Sequence, residues 1–117
     1  MIIIALNELL KKRVGKSLDK FCDERIPERV KDQIKLDYKI RGNSVTLIEK
    51  RPHYKNTEEW VEMKIAQFRF NQDNNKWSLY WWRHTGRWYE YDNIEAKTDF
   101  QKLVNEVDED PTAIFWG

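Results

Sequence analysis

A chain of 117 residues, 40% of them hydrophobic and 14% aromatic, is long enough for one hydrophobic core, too short for two, and too apolar to stay disordered. A two-domain enzyme is therefore excluded, and residues 1–117 are expected to fold as a single domain. The net charge of +1 conceals a split of +6 over residues 1–55 and −5 over residues 56–117. Two halves of one domain can neutralise each other in this way, and a pI near 7.8 lies below that of a dedicated nucleic-acid binder.

Cys22 is the only cysteine, so no intrachain disulfide can form and a secreted disulfide scaffold is excluded. The longest apolar run, Met1 to Leu6, is far too short to span a membrane and lacks the basic start of a signal peptide. These features point to a soluble, cytoplasmic protein without membrane partners. Six tryptophans are more large rings than so short a chain can enclose with every indole N–H satisfied, so some should be exposed.

The first element is a helix from Glu8 to Arg25, with Asn7 as N-cap and Glu8 at the end where the helix dipole favours an acid. Leu10, Val14, Leu18, Phe21 and Cys22 recur at helical spacing and form its apolar stripe, which makes Cys22 a small core residue rather than a nucleophile. Its polar side carries Lys11, Lys12, Arg13, Lys16 and Lys20. Pro27 closes the helix, and Pro27 to Gln33 is expected to add one short turn.

At Ile34 the period changes to two. Ile34, Leu36, Tyr38 and Ile40 alternate with charged residues as in a half-buried strand, Gly42 and Asn43 form a tight turn, and Ser44 to Arg51 returns as a second strand. A polar loop from Pro52 to Thr57 leads to a third strand, Trp60 to Phe70. There Val61, Met63 and Ile65 lie on one parity and Ala66, Phe68 and Phe70 on the other, so a bulge is expected at Ile65 and Ala66.

The fourth strand runs from Trp77 to Arg83, and His84, Thr85 and Gly86 form a three-residue hairpin loop into a fifth from Arg87 to Tyr91. Thr98 is expected to open the last helix with a capping box to Gln101, with Phe100, Leu103, Val104 and Val107 buried. Asp110 and Pro111 end it. Ile114, Phe115 and Trp116 are too apolar to hang in water and should dock on the core. The fold expected is α+β: an N-terminal helix, a mainly antiparallel five-stranded meander and a C-terminal helix, with both helices on one face of the sheet.

If Phe70 faces Trp77 and Arg83 faces Arg87, the strands sort into two faces. Phe68, Phe70, Trp77, Leu79, Trp81, Tyr89 and Tyr91 form the core face. Gln67, Arg69, Ser78, Tyr80, Trp82, Trp88 and Glu90 form the other, with Arg83 and Arg87 taken to flank it. This mixture of flat aromatics and charges has three readings: a sheet-stabilising aromatic cluster, a protein interface or homodimer, or a stacking platform for single-stranded nucleic acid. A non-enzymatic binding or regulatory module with a protein partner, or a second copy, is the reading adopted.

Enzymatic signals are weak. Glu62-Met63-Lys64 matches the acid-x-Lys fragment of some metal-dependent nucleases, but the chain holds three such triplets where chance gives about two. A hydrolase built on Asp37, Glu49, Glu62 and Lys64 stays as an alternative whose test is convergence of the carboxylates. His53 and His84 fall in loops without neighbouring ligands, so no metal and no cofactor is expected. Asp108, Glu109 and Asp110, at the disfavoured end of a helix dipole, read as a solvated terminus before a cation or basic-partner site.

The segments Arg41-Gly42-Asn43-Ser44-Val45-Thr46-Leu47, Phe68-Arg69-Phe70, Trp77-x-Leu79-Tyr80-Trp81, Gly86-Arg87-Trp88-x-x-Tyr91-Asp92 and Asp110-Pro111-Thr112-Ala113-Ile114-Phe115-Trp116-Gly117 together form a pattern. From Leu9 to Gly117 the chain resembles a family of short bacterial proteins catalogued as domain of unknown function 3024. The resemblance implies a bacterial source and a small stand-alone domain. It implies no activity and no catalytic residues.

Overall fold

The structure, a computed structural model, describes residues 6–116; the run Met1 to Ala5 and the terminal Gly117 lie outside the described residues. Helix α1 (Glu8–Arg25) begins where the Asn7 carboxamide oxygen accepts from the Leu10 N–H at 2.8 Å. A single 3-10 turn (Glu28–Val30) follows Pro27. The chain then makes β1 (Lys35–Arg41), β2 (Ser44–Pro52), β3 (Trp60–Asn71), β4 (Lys76–Arg83) and β5 (Arg87–Glu90), all antiparallel in the order β1-β2-β3-β4-β5. Helix α2 (Phe100–Glu109) closes the α+β architecture.

The turns set the register. Gly42 takes φ 59° in the two-residue loop between β1 and β2, a conformation that glycine reaches without a Cβ clash, and Arg41 pairs with Ser44. Phe70 pairs with Trp77 and Arg83 with Arg87, as the strand parity requires. Between Leu47↔Ala66 and Ile48↔Lys64 the pairing of β2 with β3 skips Ile65. That bulge turns Val61, Met63 and Ile65 towards the same face as Ala66, Phe68 and Phe70, which is how one strand carries two parities without inverting its buried side.

Both helices pack on that face, α1 against β1 and α2, and α2 against β4. An aromatic cluster lies beneath them: Phe100 meets Phe68 and Trp77 at centroid distances of 4.8 Å, and Trp77 meets Phe70 at 5.0 Å. The cover is partial. β3 spans about 40 Å at the usual rise per residue, whereas ten-residue α2 spans about 15 Å and α1 lies over β1, so the far ends of β3, β4 and β5 receive no helix. This corrects the expected core: Trp81 is only half-buried at its edge, and Tyr89 is exposed, stacked on Trp81 at 5.4 Å.

Two further expectations change. The N-cap of α2 is Asp99, whose carboxylate accepts from the Gln101 N–H at 3.0 Å, and not Thr98; the helix starts one residue later because Lys97 is held in an antiparallel bridge to Trp77. Strand β5 ends at Glu90, although the Tyr91 N–H still donates to the Leu79 carbonyl at 2.8 Å. The tail docks as expected, with Phe115 buried against Tyr91 and the Trp116 indole N–H donating to the Val107 carbonyl at 2.7 Å. Among the described residues no helix is long and apolar enough to cross a membrane.

Where α1 meets β1, the Tyr38 hydroxyl donates to Asp19 at 2.8 Å. Burial, together with this carboxylate, pushes the Tyr38 hydroxyl up to about 12. Burial and the charges of Asp37 and Asp19 push the Cys22 thiol up to about 12. A thiol this poorly ionised at neutral pH is an inert core group. Each folded-state value lies above its unfolded one, so the folded chain holds these protons more tightly. The resulting stabilisation is complete below about pH 9 and is lost as pH rises towards 12. The urea midpoint should be flat from pH 7 to 8.5 and then decline, and Tyr38→Phe should flatten part of the decline. An equal decline in Tyr38→Phe would remove Tyr38 from the explanation.

Candidate binding face

The sheet face away from the helices is built from the alternate residues of all five strands. Arg69, Tyr80, Trp82 and Trp88 lie on it together, as the sequence reading grouped them. Trp82 and Trp88, paired directly across β4 and β5, meet edge to face at 5.1 Å. The Lys64 ammonium lies 4.0 Å from the centroid of the Trp82 ring, the Arg69 guanidinium 3.8 Å from that of Tyr80, and Lys35 4.3 Å from that of Trp60. Cations in these positions are attracted by the negative ring faces and hold their long side chains down on the sheet.

Arg83 and Arg87 do not join this group. They share the parity of Trp81 and Tyr89, so they project from the helix-bearing face at the hairpin tip, where Arg83 lies 5.4 Å from the Tyr89 centroid. Lys64, a residue of the hydrolase alternative, is placed beside Trp82 by the bulge at Ile65. Its position was legible once the third strand was divided into two parities.

The central hollow of this face has a volume of about 580 Å³ and is lined by Lys39, Arg41, Thr46, Lys64, Gln67 and Trp88. Ile48 forms its floor and is only 2% exposed although no helix covers it, because long side chains such as its cross-strand partner Lys64 lie over it. The Gln67 amide donates to Thr46 at 2.9 Å, and the Arg69 guanidinium donates to Gln67 at 2.6 Å, which fixes the polar middle of the surface.

The carboxylates of the hydrolase alternative divide between faces. Asp37 and Glu62 are on the open face, where Lys50 reaches Asp37 at 3.2 Å and Lys39 reaches Glu62 at 3.0 Å. Glu49 is buried on the other face beside Arg51. Among the described residues no group of three His, Cys, Asp or Glu side chains is placed to hold a metal ion. The His53 ring accepts from the Lys55 and Asn56 N–H groups, a loop-forming role. At the end of α2, Asp108 pairs with Arg25 at 2.6 Å, and the Asp110 carboxylate accepts from the backbone of the tail.

The molecule is thus an α+β protein in which a five-stranded antiparallel meander bears helices on one side and an uncovered cationic and aromatic surface on the other. Its chain matches the family model described as a domain of unknown function (DUF3024) over residues 6–117, and it belongs to that family. No curated protein and no solved structure matches it.

Proposed function

We propose that this protein is a non-catalytic binding module whose open sheet face docks a protein partner through an acidic segment. One observation carries the reading: an uncovered sheet face on which cations outnumber acids and on which Lys35, Lys64 and Arg69 are seated on aromatic rings. Lys35, Arg41, Lys64 and Arg69 make no ion pair among the described residues, whereas of the acids on this face Asp37 and Glu62 are neutralised by Lys50 and Lys39, which leaves Glu90, at the β5 edge, as the unpaired acid set against four unpaired cations. Trp, Tyr and Arg are the side chains enriched at interface hot spots, and cations already ordered over rings lose less entropy when a partner arrives. Two other occupants fit less well. Nucleobases need free ring faces, and the rings of Trp82 and Tyr80 each already bear a cation. A second copy related by a two-fold axis would bring like charges together. The single thiol, part-buried and un-ionised, suits the reducing cytoplasm of a bacterial cell, where we place the protein.

Tryptophan fluorescence titration with a synthetic Glu-rich peptide tests this reading. The peptide should shift the emission, and the double substitution Lys64→Glu with Arg69→Glu should weaken binding at least tenfold while the circular dichroism spectrum stays that of the folded parent. Quenching by mixed single-stranded DNA or RNA at low salt, abolished by Trp82→Ala, would replace the acidic partner with nucleic acid. A sedimenting dimer that Trp82→Glu converts to a folded monomer would replace it with self-association.

A further inference from the structure

On the opposite side of the sheet, α1 and the beginning of α2 diverge and leave a groove of about 910 Å³. Its floor is apolar: Val14 from α1 and Trp77 from β4 lie buried beneath it, and Leu10 from α1 and the edge of Phe100 from α2 face the groove. Arg13, Lys16 and Lys20 line its rim, at spacings of three and four that put all three on one side of α1. None of the three makes an ion pair among the described residues, although Lys11 of the same helix pairs with Glu8. Ser17 meets Gln101 across the groove and ties the two helices together, so the cleft is part of a braced structure.

We propose that this groove binds a small amphipathic monocarboxylate, with its apolar tail along Leu10, the exposed edge of Phe100 and the alkyl stems of Arg13 and Lys16, and its head among the charged ends of Arg13, Lys16 and Lys20. Ligand pockets fall at about 300–1,000 Å³, are mostly apolar, and carry a few convergent polar groups that orient the ligand. The groove has that size and that division between floor and rim. Three cations without partners at the mouth of an apolar cleft supply the charge complementarity that a neutral hydrophobic ligand would leave unused. The carboxylate of Asp99 stands on the same rim and already accepts from the Gln101 amide at the start of α2, so a doubly charged head is the poorer fit. This site is separate from the open sheet face, and neither reading depends on the other.

Two-dimensional amide and indole NMR spectra of the full chain, titrated with decanoate, provide the test. Decanoate should move the Trp77 indole and the Ser17 and Phe100 amides while leaving the Trp82 and Trp88 indoles in place. Decanol, with the same tail and no charge, should bind at least tenfold more weakly. Lys16→Gln with Lys20→Gln should weaken decanoate by a similar factor and leave decanol unchanged, with the circular dichroism spectrum retained. Absence of any shift, equal binding of decanol and decanoate, or shifts confined to Val61, Met63, Trp82 and Trp88 would each overturn the proposal.

Discussion

Trp77→Ala is expected to cost about 3–5 kcal/mol, the range for removing a large buried aromatic, and to take a large share of the 5–15 kcal/mol that a domain of this size possesses. Trp77 is 1% exposed, its ring is packed between Phe70 and Phe100, and its backbone holds both the β3 register and the bridge to Lys97 that leads into α2. The cavity left by an indole among rigid rings cannot collapse without moving α2. Trp81→Ala makes the contrast. Trp81 lies four residues along the same strand face but is half-buried, with only Tyr89 stacked against it, so about 1–2 kcal/mol is expected there. Urea unfolding of the two variants side by side decides the matter. Equal losses would mean that the core extends under the hairpin tip, contrary to the packing described.

That contrast also marks how far the sequence could be read. Period-two alternation, the Gly42-Asn43 turn and the loop ending in Gly86 determine strand parity, and parity determines which side chains share a face. The bulge at Ile65 was legible too, because a strand whose apolar residues change parity midway can bring them to one face only by gaining a residue. Helix reach was not legible. Nothing in the alternation of Leu79, Trp81 and Tyr89 tells that α2 stops short of the last two, since that depends on the angle at which the helix crosses the sheet. The open face was half legible. Tyr80, Trp82 and Trp88 follow from parity, but the seating of Lys64 and Arg69 over particular rings depends on rotamers. Arg83 and Arg87 were grouped by proximity in the chain rather than by parity, which places them on the helix-bearing side.

The choice of N-cap at α2 shows the same limit on a smaller scale. Thr98 and Asp99 are adjacent, both are good caps, and local preference does not separate them. The bridge between Lys97 and Trp77 does, because it holds the chain extended up to the helix and leaves Asp99 as the first residue whose side chain can reach back to a free N–H. A contact more than twenty residues away in sequence sets the boundary.

At the other end of α2, Asp110→Ala is expected to destabilise the fold by about 3 kcal/mol and to release the C-terminal tail. Asp110 sits at φ 43°, a left-handed conformation that costs alanine about 1–2 kcal/mol and that Asp and Asn tolerate better. Its carboxylate accepts from Ile114 and Phe115 at 3.0 and 3.2 Å through one oxygen and from Trp116 at 2.9 Å through the other. Net contributions of about 1.5–3 kcal/mol are typical for a hydrogen bond to a charged group, and three that share one carboxylate do not add. The tail they orient places Phe115 on Tyr91 and Trp116 beneath the Arg25 guanidinium, whose charge lies 4.0 Å from the ring centroid and which also pairs with Asp108. Two further substitutions separate the backbone cost from the lost acceptors. Asp110→Gly relieves the left-handed strain but removes every acceptor, whereas Asp110→Asn keeps the tolerance and one carbonyl oxygen, so the expected order of loss is Ala, then Gly, then Asn at about 1 kcal/mol. Urea midpoints give the order, and amide exchange at Ile114, Phe115 and Trp116 should speed up at least tenfold in the alanine and glycine variants. If all three variants lost the same stability with no change in exchange at the tail, the carboxylate would not be what holds it, and the docking of Phe115 and Trp116 would rest on apolar packing and the Val107 hydrogen bond alone.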